Sequence, residues 1–175
     1  MRTKNIVLSG VFIAIGIVLP IIFHSFNMGG QVFLPMHIPV LIAGMFLGPL
    51  YGLIVGVITP ILSSVLTGMP PMFPMLPIMI FELATYGFVS GYIYKKFTKN
   101  SYLSLIAGMI DGRITAAIVV YVLASFFGAQ MSPFNFVKAG IITGLPGIII
   151  QLIIIPPLVK ILKKISWQKE IYFLY

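Results

Sequence analysis

The sequence contains no cysteine and few charged residues. Without cysteine, disulfides, thiolate metal sites, cysteine nucleophiles and lipid-modified cysteines are excluded. Charged residues make up 8% of the 175 residues and only three are acidic, whereas a soluble domain of this size carries about a quarter of its residues charged. Hydrophobic residues amount to 59%. We therefore expect one integral membrane domain, residues 1–175, most of whose surface faces the lipid bilayer.

Motifs typical of enzymes are also missing. The sequence has no phosphate-binding Gly-x-x-x-x-Gly-Lys-Ser/Thr, no His-Glu-x-x-His and no Gly-x-Ser-x-Gly. Its two histidines have no nearby carboxylates or thiols to complete a metal site. The net charge of +8 comes from basic residues at the ends of apolar runs, a placement that does not indicate a nucleic-acid surface. We expect no enzyme activity, no metal, no cofactor and no nucleic-acid partner.

Long apolar runs predict an all-α membrane protein. Crossing about 30 Å of hydrocarbon takes roughly 20 apolar residues in a helix. A polar segment at 24–31, a Gly48-Pro49 turn and a proline-rich loop at 68–74 separate several of these runs. Six transmembrane helices are predicted, at about residues 6–23, 34–47, 51–66, 75–94, 103–127 and 136–162.

The basic residues predict the orientation of these spans. Six spans place both termini, the Gly48-Pro49 turn and the loop after span four on one side. That side carries nine lysine and arginine residues, whereas the loops of the opposite side carry only Lys138. By the positive-inside rule the N- and C-termini are cytoplasmic.

Ionisable residues inside spans are the first candidates for function, because each is expensive to bury in a membrane. Glu82 lies in span four with Tyr86 one turn later, and Asp111 and Arg113 lie in span five. The depths of Glu82 and Arg113 differ by only about 5 Å at 1.5 Å per residue, so a direct pair is feasible. We predict Glu82, Tyr86 and Arg113 as solute contacts; the alternative is a structural ion pair that joins the two spans.

Further polar residues lie near the outer ends of the spans. His37 is flanked by two prolines, and Asn27 and Gln31 precede it in the same outer region. Three more polar candidates lie in or near span six: Asn135, Lys138 and Gln151. We predict all of them to bind solute. The alternatives are ordinary interfacial placement or snorkelling for the outer ones and an interhelical hydrogen bond for Gln151.

The first span contains the small-residue pair Gly10-x-x-x-Ala14, which allows another helix to approach closely. Together with six short spans and cytoplasmic ends, this pair resembles the substrate-binding S component of energy-coupling factor (ECF) vitamin transporters. The stretches that add to the resemblance are Leu34–Pro49, Thr59–Pro71, Glu82–Gly87, Gly112-Arg113 and Gly144–Gln151.

The resemblance implies a function and a set of partners. An S component captures a water-soluble vitamin or precursor at the outer face, under the loops that join spans one and two, three and four, and five and six. It then associates with a membrane coupling subunit and two cytoplasmic ATPases, and it topples in the bilayer to release the solute. Gly10 and Ala14 correspond to the family's contact with the coupling subunit. Two alternatives stay open: a membrane scaffold without transport activity, and a stand-alone channel or secondary carrier.

Overall fold

The computed structural model describes the backbone of residues 2–25 and 30–172 and the side chains of residues 3–23 and 32–165. The described residues are 88% helical and contain no strand. A π-helical turn, Tyr94–Thr98, follows the fifth helix. The helices are α1 (Arg2–Ser25), α2 (Gly30–Phe33), α3 (His37–Leu47), α4 (Pro49–Thr67), α5 (Met75–Ile93), α6 (Ser101–Phe127) and α7 (Pro133–Tyr172).

Five of the described helices are long and apolar enough to cross a membrane, and α3 is a shorter apolar helix. The prediction of an all-α membrane protein with six such helices is confirmed. The second of them departs from the predicted bounds of 34–47, because helix begins only at His37. Leu34 adopts a left-handed backbone with φ of 49°, and Pro35 follows it, so helix cannot run through this point. The sixth continues to Tyr172, beyond the predicted end at 162.

The outer surface of the bundle is covered with large apolar side chains. Ile6 and Val7 on α1 are 63% and 62% exposed, and Ile118 on α6 is 58% exposed. Similar side chains are exposed along α4 and α7. In water such a surface would drive aggregation, whereas in lipid it needs no cover. These faces are therefore the ones that contact the bilayer.

Helices α3 and α5 form the centre of the fold. The α5 helix packs against α3, α4 and α6, and α3 also packs against α1, α4 and α7. Nearly every residue of α3 is buried, with Val40, Leu41 and Ala43 fully enclosed. A helix of 11 residues spans about 16 Å, roughly half the hydrocarbon thickness. The short α3 therefore leaves space at one end of the bundle.

Glycine brings the backbones of α4 and α5 into direct contact. A Cβ atom on Gly87 would collide with the carbonyl group of Gly52, and one on Gly56 would collide with the carbonyl group of Leu83. Gly44 of α3 meets the carbonyl oxygen of Gly87 in the same way. Small residues at helix contacts allow such close approach in membrane proteins, where dispersion forces hold the helices together.

The two ends of the bundle differ in chemistry. At one end, the Gly48-Pro49 turn lies beside the Lys95 side chain, and the Lys163 ammonium lies 3.9 Å from the centre of the Tyr94 ring. At the other end lie the connections after α1, α4 and α6, of which the described parts carry no charged side chain. The alternation of the helices thus separates a lysine-rich end from a lysine-poor end, where Lys138 lies near the start of α7.

The α4–α5 contact gives a prediction about stability. Gly87→Ala should lower the free energy of unfolding by about 1–3 kcal/mol, because the two backbones must separate to admit the methyl group. Gly10→Ala is the matched control, since a Cβ there meets nothing within 4 Å. The measurement is thermal unfolding of the detergent-purified protein. Equal melting temperatures for the two variants would contradict the close backbone contact.

Candidate binding cavity

A cavity of about 730 Å³ opens at the lysine-poor end of the bundle. Its wall is formed by the end of α1, the segment from α2 into α3, the loop between α4 and α5, the first half of α5, the middle of α6, the residue Met131 before α7, and the first turns of α7. The shortness of α3 creates the space, because its first residue, His37, lies in the wall and not at the end of a full span. A volume of this size falls within the range of small-molecule sites, about 300–1,000 Å³.

An ion pair lies at the inner part of the cavity wall. The Arg113 Nη1 atom lies 2.9 Å from Glu82 Oε1, and the two side chains are only 13% and 5% exposed. The Tyr86 hydroxyl donates to the same carboxylate oxygen at 3.3 Å. Arg113 Nη2 also donates to the carbonyl oxygen of Gly140 at 3.4 Å. Arg113 therefore connects α5, α6 and α7 around the cavity.

Glycine on α7 makes room for this arginine. A Cβ atom on Gly140 would lie 2.9 Å from Arg113 Nη1, which is too close for an undisturbed guanidinium. On α6, a Cβ on Gly112 would lie 3.0 Å from the Tyr86 ring. Arg113 and Tyr86 thus have room at the wall because Gly140 of α7 and Gly112 of α6 carry no side chain.

His37 begins α3 and is only 5% exposed. The edge of its ring packs on Tyr86, with ring centres 5.1 Å apart and planes at 71°. Neither Nδ1 nor Nε2 makes a hydrogen bond of acceptable geometry with the described residues. Both nitrogens are themselves buried, and the ring interacts with the backbone of Leu34.

Gln151 has a different role from the one predicted. Its side chain is 1% exposed, and its Nε2 donates to the carbonyl oxygen of Leu34 at 3.5 Å, across from α7. It is absent from the cavity wall. The structure thus shows the interhelical hydrogen bond that was the alternative for Gln151. This bond holds the segment that leads into His37.

Four other predicted solute contacts are not placed at the cavity. Asn135 and Lys138 are exposed on α7 and do not contribute to the lining. Asn27 lies outside the described residues, and Gln31 lies in α2 with a side chain that the structure does not describe. Their role in binding stays a prediction.

Residues Phe136, Ala139, Gly140 and Thr143 of α7 line the cavity. Their spacing is that of one helix face, and the positions of Asn135 and Lys138 fall beside that face. Thr143 thus supplies a polar group that the sequence reasoning missed. Thr143 follows Gly140 by three positions and so shares its helix face, and this spacing was the only sequence signal that could have identified Thr143.

Methionine forms much of the remaining wall. Met75 and Met79 precede Glu82 by seven and three positions on α5, which is the spacing of one helix face and the signal that could have found them. The methionines of the lining are Met36, Met69, Met75, Met79 and Met131.

The predicted partner contact lies away from the cavity. Gly10 and Ala14 are both exposed on α1, and a Cβ on Gly10 would meet nothing within 4 Å. Among the described residues no other helix covers this pair. The α1 surface around it is therefore accessible to another membrane helix.

Comparison with known proteins identifies the family. A family model described as "ECF transporter, substrate-specific component" matches residues 4–159, most of the chain. No curated protein and no solved structure matches it. Together with the five membrane-competent helices, the match makes this a multi-pass protein of the cell membrane and a subunit of a transporter. The chain belongs to the family of substrate-specific (S) components of ECF transporters.

Proposed function

We propose that this chain captures a water-soluble vitamin or vitamin precursor in the cavity at the outer face of the membrane, for ATP-driven uptake. The observation that carries the proposal is the cavity itself, with a buried ion pair and a histidine in its wall. A scaffold protein would have no use for such a cavity. Family membership implies a small-molecule substrate and association with the ECF module.

The charge distribution supports the outer location. The lysine-rich end of the bundle is assigned to the cytoplasm by the positive-inside rule, and the cavity opens at the opposite end. Solute would therefore enter from outside and lie over Glu82 and Arg113, near the middle of their helices.

The proposed binding chemistry is non-covalent. Glu82 and Arg113 hold each other in place, so their remaining hydrogen-bonding atoms face the solute in a fixed geometry. Where the bound solute excludes water, each hydrogen bond is stronger than it would be in water. We infer that Tyr86 positions Glu82 through its hydroxyl and does not touch the solute, because it is absent from the lining.

The energy for uptake would come from the partners. In our proposal a membrane coupling subunit contacts α1 at Gly10 and Ala14, and two cytoplasmic ATPases drive the movement that releases the solute. The support is the accessible small-residue pair on α1, which admits a close helix contact.

Binding should depend on the buried carboxylate. Glu82→Gln removes the charge that holds Arg113, and we expect the dissociation constant for the co-purified solute to rise about 10- to 100-fold, the size of one or two charged hydrogen bonds. The matched control is Asp111→Asn, the same chemical change on α6 at a residue outside the cavity lining. The solute is identified by native mass spectrometry and its affinity is measured by calorimetry.

A buried arginine without its partner can unfold the protein. The double variant Glu82→Gln/Arg113→Gln therefore serves as the second test, since it removes both charges together. If either variant remains folded and binds the solute as tightly as the native chain does, the cavity is not the binding site.

The proposed partner contact on α1 gives a different prediction, in which transport is impaired while solute binding is retained. Gly10→Leu/Ala14→Leu should leave solute affinity unchanged within about twofold, because both residues are remote from the cavity. We expect it to reduce recovery of the coupling and ATPase subunits and uptake by about tenfold or more, since bulk on this face keeps the partner helix away. Ser125→Leu, on an exposed position of α6, is the control. A complex that forms normally with the double variant would rule out this face of α1.

A further inference from the structure

The charges at the cavity wall cancel. His37, Glu82 and Arg113 are the titratable side chains that line it within the described part of the chain. Glu82 and Arg113 neutralise each other at 2.9 Å, and histidine counts as neutral. A solute with net charge would have to leave water without a counter-charge, or break this pair and leave one member unpaired. Both alternatives are strongly unfavourable in an enclosed site.

The rest of the wall suits a flat ring. Methionine side chains approach from α5, from the segment before α3, from the loop before α5 and from the loop after α6. Phe136 on α7 adds an aromatic ring. Thioethers are polarisable, adapt their shape and make favourable contacts with aromatic rings. The polar side chains of the lining, in contrast, are few: His37, Glu82, Arg113 and Thr143. The wall therefore has one polar edge and broad apolar surfaces.

We propose that the solute is an aromatic heterocycle without net charge, whose polar edge hydrogen-bonds to the Glu82–Arg113 pair and whose ring faces lie against the methionine side chains. This inference rests on the proposed function and specifies its substrate class. Phosphate esters, aliphatic carboxylic acids and permanently cationic rings are excluded as preferred ligands.

Six compounds test whether the solute is uncharged and whether it is an aromatic heterocycle. Riboflavin and pyridoxine are uncharged heterocycles, and flavin mononucleotide and pyridoxine 5′-phosphate are their phosphate esters. Pantothenate is an aliphatic acid and thiamine is a cationic heterocycle. We expect at least one uncharged ring to bind the purified chain, with its phosphate ester at least about 100-fold weaker, because the ester has no counter-charge in the cavity.

The outcomes separate the two levels of the proposal. If pantothenate, thiamine or a phosphate ester binds most tightly, and Glu82→Gln/Arg113→Gln weakens that binding, the cavity is a solute site but the substrate class is wrong. If none of the probes binds to a chain that unfolds cooperatively, and mass spectrometry finds no co-purified solute, the proposed function is overturned together with this inference.

Discussion

The buried ion pair between Glu82 and Arg113 is the constraint on which the rest of the site depends. Two charges in the middle of a lipid-embedded bundle are tolerated only when they are paired and further hydrogen-bonded. The structure meets this condition with three helices: α5 supplies Glu82 and Tyr86, α6 supplies Arg113, and α7 supplies the carbonyl oxygen of Gly140. The pair thereby fixes the distances between the helices that form the inner wall of the cavity.

Rigid packing and an adaptable wall coexist in this molecule. On one side, α3, α4 and α5 meet backbone to backbone through glycine, so they cannot slide without collision. On the other side, the cavity is bordered by methionines, which change shape at little cost. In the proposed function, the first feature would hold the polar groups in place before a solute arrives, and the second would allow the wall to close around it. Pre-organised polar contacts with a deformable apolar wall reduce the ordering that binding requires.

The sequence predicted the helices better than it predicted the site. Long apolar runs define membrane helices almost by themselves, because every backbone group must be paired within its own segment. The start of α3 was missed, since its position depends on the left-handed backbone at Leu34. Glu82, Arg113 and His37 were found by their polarity within spans. Lys138 and Asn135 were chosen by the same rule, but their places on α7 depend on how that helix is rotated, which one sequence does not reveal.

Helix α1 belongs to both the cavity and the predicted partner surface. Pro20 contributes to the cavity wall, whereas Ala14 is exposed on the uncovered face. Ala14 and Pro20 are six positions apart, which is about 9 Å along a helix. The α1 helix packs on α3 and α4 but has no extensive contact with α5, α6 or α7 among the described residues. Since the ion pair joins those three helices without α1, a partner that displaced α1 would move Pro20 away from the solute while Glu82 and Arg113 stayed together. If the coupling subunit contacts α1 as proposed, movement of α1 would open the cavity without breaking the ion pair.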